Sequence, residues 1–171
     1  MSSLIVYGSL INKAQLYQKL NLQSEACPVF IQGYRRIFNQ EPSWRQGFNQ
    51  HRAVLNIVKS ATDYFNGLLV DIQDDSAFEH LDKREKGYER ITINCSQLAH
   101  FTDTSCSICS EATYIYLGHP GKQNNGILPN REYLELCLRG AKQWGEEFYK
   151  QFVQTTYVGT HTLEIFLRNK A

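Results

Sequence analysis

A chain of 171 residues, 42% hydrophobic and 20% charged, has the size and make-up of one globular domain with a substantial core. A net charge of +1, with no long run of either sign, leaves no electrostatic footprint for nucleic acid or an anionic membrane. No apolar stretch is long enough to span a bilayer and Met1–Leu4 lacks the regions of a signal peptide, so one cytoplasmic domain over residues 1–171, monomeric or homodimeric, is expected.

Leu4–Tyr7 is a short β-branched, apolar run that predicts a buried strand. Gly8-Ser9 interrupts it, and Asn12 is placed to cap a helix to about Leu20, with Leu16 and Leu20 on one face. A strand, a Gly-Ser turn and a helix fit an anion cradle, since backbone N–H groups point outward there and glycine permits close approach. They fit a plain turn equally well.

Ala26–Asn39 predicts a strand with a bulge at Gly33, and Gln40–Arg52, with Pro42, Gly47 and Asn49, a surface loop. Ala53–Val58 and Tyr64–Ile72 predict two further strands. Ile91–Cys95 and Ala112–Leu117 predict a hairpin with Thr102–Glu111 as its tip. His119–Gly121 and Asn124–Gly126 are turn residues. Pro129 opens the longest predicted helix, to about Gln154, with Gly140 and Gly145 as points of close packing or kinking. Thr162–Leu167 has strand character, and Arg168–Ala171 reads as a frayed end. Arg35-Arg36 and Lys142 read as solvated faces. The irregular alternation of elements predicts an α+β fold: a mixed, strongly curved sheet or small β-barrel with helices packed outside.

Between the middle strands and the hairpin, residues 74–88 read as a short helix. Asp74-Asp75-Ser76 offers capping oxygens and Gly87 a left-handed stop. Phe78, Leu81 and Glu85 fall on one face, so a carboxylate stands where the pattern calls for an apolar side chain, near the negative helix end. Burial and the helix dipole both disfavour its charge and raise its pKa, which suits a general acid/base near neutral pH. The plainer alternative is a Glu85 that reaches the rim or pairs with Arg84 or Arg90.

Five cysteines, an odd number, argue for reduced thiols rather than a disulfide framework. Cys106-Ser107-Ile108-Cys109 is a Cys-x-x-Cys with Cys95 and His100 close by in sequence. Four such ligands fit zinc if they converge, and a redox pair is the other reading. His51, His100, His119 and His161 read as surface residues. There is no Walker loop and no Gly-x-Gly-x-x-Gly, so no nucleotide cofactor is expected, nor a metal at the candidate catalytic residue.

Val6-Tyr7-Gly8-Ser9-Leu10 and Leu81-Asp82-Lys83-Arg84-Glu85-Lys86-Gly87-Tyr88, with Pro129-Asn130-Arg131-Glu132-Tyr133 and Gly140-Ala141 downstream, resemble the γ-glutamylcyclotransferase-like superfamily, which includes the AIG2-like and ChaC-like proteins. The resemblance implies that fold, with no cofactor. It also implies a reaction in which the α-amine of a γ-glutamyl amino acid, peptide or amine attacks its own side-chain amide and releases 5-oxoproline. By resemblance Glu85 is the general acid/base, Val6, Tyr7, Gly8, Ser9 and Leu10 form the substrate cradle, and Tyr116 and Tyr133 contact substrate. Two positions depart from the mammalian type, which has asparagine at Leu10 and glycine directly after the glutamate, where this chain has Lys86. The alternative is a non-catalytic member of the fold that binds a small metabolite.

Overall fold

A computed structural model describes residues 1–42, 52–102 and 106–170. The first strand, β1 (Ser2–Val6), is buried at every position, its two serines as well as the apolar run Leu4–Val6. It is followed by a 3-10 turn (Ser9–Ile11), α1 (Lys13–Lys19), β2 (Cys27–Gln40), β3 (Val54–Ile72), α2 (Ala77–Arg84), β4 (Tyr88–Ile93), β5 (Leu98–His100) and β6 (Ala112–Gly118). The chain ends with α3 (Arg131–Lys142), α4 (Glu146–Gln154), β7 (Thr156–Val158), β8 (His161–Thr162) and α5 (Leu163–Lys170).

One sheet runs in the order β4-β6-β1-β3-β2-β7-β8, with β5 added to β2. β1 lies parallel to β6 and antiparallel to β3, and β2 lies parallel to β7. The expected α+β architecture with a mixed, curved sheet holds, and the sheet stays open rather than closing as a barrel. The core gathers Leu4, Ile5, Ile31, Phe38, Leu55, Phe65 and Ile115 from its strands with Leu16, Cys137, Phe148 and Phe152 from the helices. Among the described residues no helix is long and apolar enough to cross a membrane.

Several expectations hold in detail. Asn12 Oδ1 accepts from the N–H groups of Ala14 and Gln15 and so starts α1. Gly33 has φ +92, where the pairing of β2 with β3 shifts register: Tyr34 faces Lys59, but Gln32 faces Tyr64. Gly87 has φ +88 just beyond α2. The strand pairing of the expected hairpin forms between β4 and β6, with Ile93 opposite Thr113 and Tyr88 opposite Gly118, although the chain between them departs to lay β5 on β2 rather than running directly to a tip at 102–111.

Others are corrected. The two strands expected over 53–72 are the single strand β3, because the polar stretch between them stays extended, held partly by Arg35–Asp63 at 2.9 Å. The long helix from Pro129 is two helices: Asn130 caps α3 through its side chain, and Gly145 at φ +107 turns the chain into α4. Gly140 is the close-packing point, since a Cβ there would meet the Asn12 backbone nitrogen at 2.6 Å. The strand expected at 162–167 is mostly α5, whose Leu163, Phe166 and Leu167 pack inward at helical spacing. Its end is helical to Lys170 rather than frayed.

Arg36 is not solvated but wholly buried. The cysteines are not all reduced: Cys27 pairs with Cys106 and Cys95 with Cys109, which leaves Cys137 as the free, buried thiol. Residues 43–51 of the expected surface loop, His51 among them, and residues 103–105 of the hairpin tip lie outside the described residues.

Candidate active site

At the end of β1 the chain bends through Tyr7 and Gly8 into the 3-10 turn. Ile11 N–H donates to Gly8 O at 3.0 Å and Asn12 N–H to Ser9 O at 3.1 Å. Among the described residues, no protein acceptor takes the N–H groups of Gly8, Ser9 or Leu10, three successive donors at the start of that turn. Glycine is required at position 8 by proximity: a Cβ there would sit 2.5 Å from the Tyr133 hydroxyl.

Tyr7 is held at both ends. Its hydroxyl donates to Tyr116 O at 2.6 Å, and its carbonyl accepts from Arg36 Nη1 at 3.4 Å. Among the described residues Arg36 meets only neutral acceptors, namely Tyr7 O, both oxygens of Asn66, Phe152 O and the hydroxyls of Thr155 and Thr156. Burial pulls its pKa down to about 9, against the upward pull of Cys137, Tyr133 and Tyr7.

Glu85 caps the C-terminus of α2, with its N–H on Leu81 O at 2.8 Å. Phe78 and Leu81 are buried, as the one-face pattern predicts, and the Glu85 side chain is only 20% exposed. Burial raises its pKa, partly offset by Arg84, whose Nη1 contacts Glu85 Oε1. So the ion pair offered as the plainer alternative is present, and the carboxylate still faces inward. Arg90 binds Asp82 instead, at 3.0 and 3.1 Å. The turn after Glu85 is pinned at Gly87, whose carbonyl accepts from His119 N–H at 2.8 Å and Gln40 Nε2 at 3.0 Å.

Four tyrosines surround this carboxylate. Tyr88 donates to Leu55 O at 2.6 Å and Tyr116 to Asp82 Oδ1 at 2.6 Å. Tyr133 stands one turn into α3, with its ring edge on Phe38 at 6.2 Å. Burial first, and the Glu85 charge among other causes, pushes all four phenols, Tyr7 included, above their ordinary value. They stay neutral hydroxyls at physiological pH.

Val6, Tyr7, Gly8, Ser9, Leu10, Glu85, Tyr116 and Tyr133, the residues singled out from sequence, all line one cavity of about 60 Å³. Glu85 is its one lining carboxylate among the described residues. The cavity adjoins a wider cleft of about 560 Å³ that shares Ser9, Glu85, Tyr88 and Tyr133 and adds Lys19, Arg84 and Arg139. Sequence reasoning passed over Tyr88 and Leu55. Tyr88 carried a signal, since it directly follows the left-handed Gly87 that turns the chain back to the cavity. Leu55 carried none, being one apolar residue in a strand.

A family model described as ChaC-like protein matches residues 4–126, which include the loop and Glu85 but end before Tyr133. A solved γ-glutamyl cyclotransferase superposes with a TM-score of 0.67 at 18% identity, over 98% of this chain and 97% of that one. An uncharacterized protein from Homo sapiens superposes with a TM-score of 0.67 at 18% identity, over 99% and 98%. A yeast γ-glutamyl cyclotransferase specific to glutathione does so at 0.59 and 15%, over 93% and 98%. At these identities the likeness is one of fold. No curated protein matches in sequence.

Proposed function

The chain belongs to the ChaC-like protein family, and from that premise we propose that it is a γ-glutamyl cyclotransferase with Glu85 as its general acid/base. The observation that carries the reading is the inward-facing Glu85 carboxylate, raised in pKa by burial, in the same small cavity as the free donors of the Gly8–Leu10 turn. The family and the fold likeness support the general activity.

The substrate is a compound whose glutamyl part is linked through its γ-carbonyl to an amine. In the cavity its chain curls so that the α-nitrogen faces the γ-carbon, a near-attack arrangement in which enclosure does most of the work. The Glu85 carboxylate takes a proton from the α-ammonium group, and the freed amine attacks the γ-carbonyl. The N–H groups of Gly8, Ser9 and Leu10 donate to the oxyanion that develops. The protonated Glu85 gives this proton to the departing nitrogen as the amide bond breaks, and the regenerated carboxylate takes the second proton from the new ring nitrogen and passes it to the released amine or to solvent. The products are 5-oxoproline and the free amine, with no water consumed.

The neutral phenols that line the cavity add no charge to it, so the protons move through Glu85 alone. Tyr133 and Tyr116 are the substrate-contacting side chains in this reading.

The test is to incubate the purified chain with glutathione, γ-glutamyl-alanine, γ-glutamyl-ε-lysine and a simple γ-glutamyl amine, following 5-oxoproline by mass spectrometry. Release that disappears in a folded Glu85→Gln variant is the expected result. Release that survives this change removes the role of Glu85. No release from any of the four by folded protein favours a binding protein.

A further inference from the structure

We propose that Cys27, His100 and Cys106, with the two thiols reduced, form a binding site for a thiophilic divalent cation of the zinc class. The site is independent of the cyclotransferase cavity and of the reading given to it.

The three side chains come together through strand pairing. β5 runs antiparallel to β2 with His100 opposite Val29, and Cys27 and Val29 share one face of β2 because they are two residues apart. His100 therefore projects on the Cys27 side of the sheet. Cys106 returns to the same place, with its Cα 6.4 Å from that of Cys27. The two sulfurs and a ring nitrogen of His100 all lie within 4.8 Å of one another. The edge of a tetrahedron with metal–sulfur bonds of about 2.3 Å is about 3.8 Å, so small side-chain adjustments bring three ligands to one ion.

Two further features fit a metal rather than a chance cluster. His100 Nε2 lies 2.6 Å from Cys106 O. A carbonyl only accepts, so Nε2 carries the hydrogen and Nδ1 is left with the lone pair. A backbone carbonyl that fixes the tautomer in this way is the usual outer partner of a metal-binding histidine. There is also a path in, since Cys27 and Cys106 both line an open cavity of about 530 Å³ from which water can fill the fourth position.

This donor set differs from the one the Cys-x-x-Cys spacing suggests. Cys109 lies against Cys95, 14 residues away in sequence, whereas the cysteine brought beside Cys106 is Cys27, 79 residues away, and the fold sets that proximity whether or not the thiols are reduced. Two sulfurs and an imidazole select zinc-like ions over the hard cations that prefer oxygen.

Cys27 and Cys106 are joined as a disulfide in the structure, so the site opens on reduction. Two equivalents of a monothiol supply two electrons and leave as their own disulfide, and the S–S bond becomes two thiols. Binding the dication then expels both thiol protons.

The experiment uses the full chain, reduced with a phosphine, exposed to zinc sulfate and desalted without oxygen, with metal counted by mass spectrometry. About one zinc per chain is expected, falling below about 0.1 in Cys106→Ser, as loss of a thiolate ligand requires. His100→Ala keeps both thiols and alters only an exposed side chain, so it serves even if the cysteine variant misfolds. It should weaken binding by about tenfold or more, and cobalt in place of zinc should show sulfur-to-metal charge-transfer absorption that its loss alters. A zinc ratio near zero in the reduced protein overturns the proposal. So does binding indifferent to His100→Ala, or binding that is lost with Cys95→Ser and kept with Cys27→Ser.

Discussion

Replacing Gly8 with alanine puts a methyl carbon 2.5 Å from the Tyr133 hydroxyl. Ordinary contact begins near about 3.5 Å, so that hydroxyl would have to retreat by about 1 Å. It has little freedom to do so, because the Tyr133 ring stands edge-on against the fully buried Phe38. Overpacking of this kind costs about 1–3 kcal/mol, which for a chain of this size lowers Tm by about 2–12 °C. Displacement of the loop by a comparable distance should lower kcat/KM for 5-oxoproline release by about 10²-fold. The decisive assay is a double-mutant cycle with Tyr133→Phe, read by thermal and denaturant unfolding. With the hydroxyl gone, the next atoms the new methyl meets are Leu55 Cβ and the Tyr133 Cζ position, both at 3.8 Å, which are ordinary contacts. The stability loss should then mostly vanish, giving a coupling of about 1–2 kcal/mol. An equal loss from Gly8→Ala in both backgrounds would refute the collision and move the cause to the loop backbone.

Burial raises the Glu85 carboxyl above its unfolded value, so its contribution to stability is full below the unfolded pKa and is lost as pH rises through the folded one. Glu85→Gln should therefore melt no lower than the parent at pH 7, with the gap closing towards pH 4, and the acid limb of kcat/KM should lie above the ordinary carboxylate range of about 4.3. Arg36→Met leaves the neutral acceptors around the guanidinium unpaired and should cost about 1–3 kcal/mol for each that finds no other donor, read by denaturant unfolding. Arg36→Lys should recover little of this, because an ammonium cannot span the same fork of acceptors. Gly145→Ala meets no neighbouring atom, yet must hold φ +107, and should lower stability by about 1–2 kcal/mol.

What sequence made legible here was set by local chemistry. Glu85 stood out because Phe78 and Leu81 fix which face of α2 is inside, and Asn12 and Gly87 mark element ends through their own side chain or lack of one. What stayed hidden depended on distant chain. Arg36 reads as a surface residue beside Arg35, and its burial follows from acceptors at Asn66, Phe152, Thr155 and Thr156, up to 120 residues away. The Cys27–Cys106 pairing spans 79 residues, and no spacing rule reveals it. Thr162–Leu167 departs from its strand-like composition for a different reason. Its Ile and Thr suit a strand, but Leu163, Phe166 and Leu167 meet the core only at helical spacing.

The loop after β1 is braced from several sides: Tyr116 O takes the Tyr7 hydroxyl, Arg36 holds the Tyr7 carbonyl, and the Asn12 backbone is wedged against Gly140. A ligand arriving there finds donors whose orientational freedom was surrendered when the chain folded. Its association then carries no entropy loss from ordering the receptor, only from immobilising the ligand itself. On the proposed mechanism, discrimination among ligands falls to those that can reach the curled shape at small conformational cost. A stiff or branched glutamyl analogue would be rejected for its own reluctance to bend, before any single contact with the walls is made or missed.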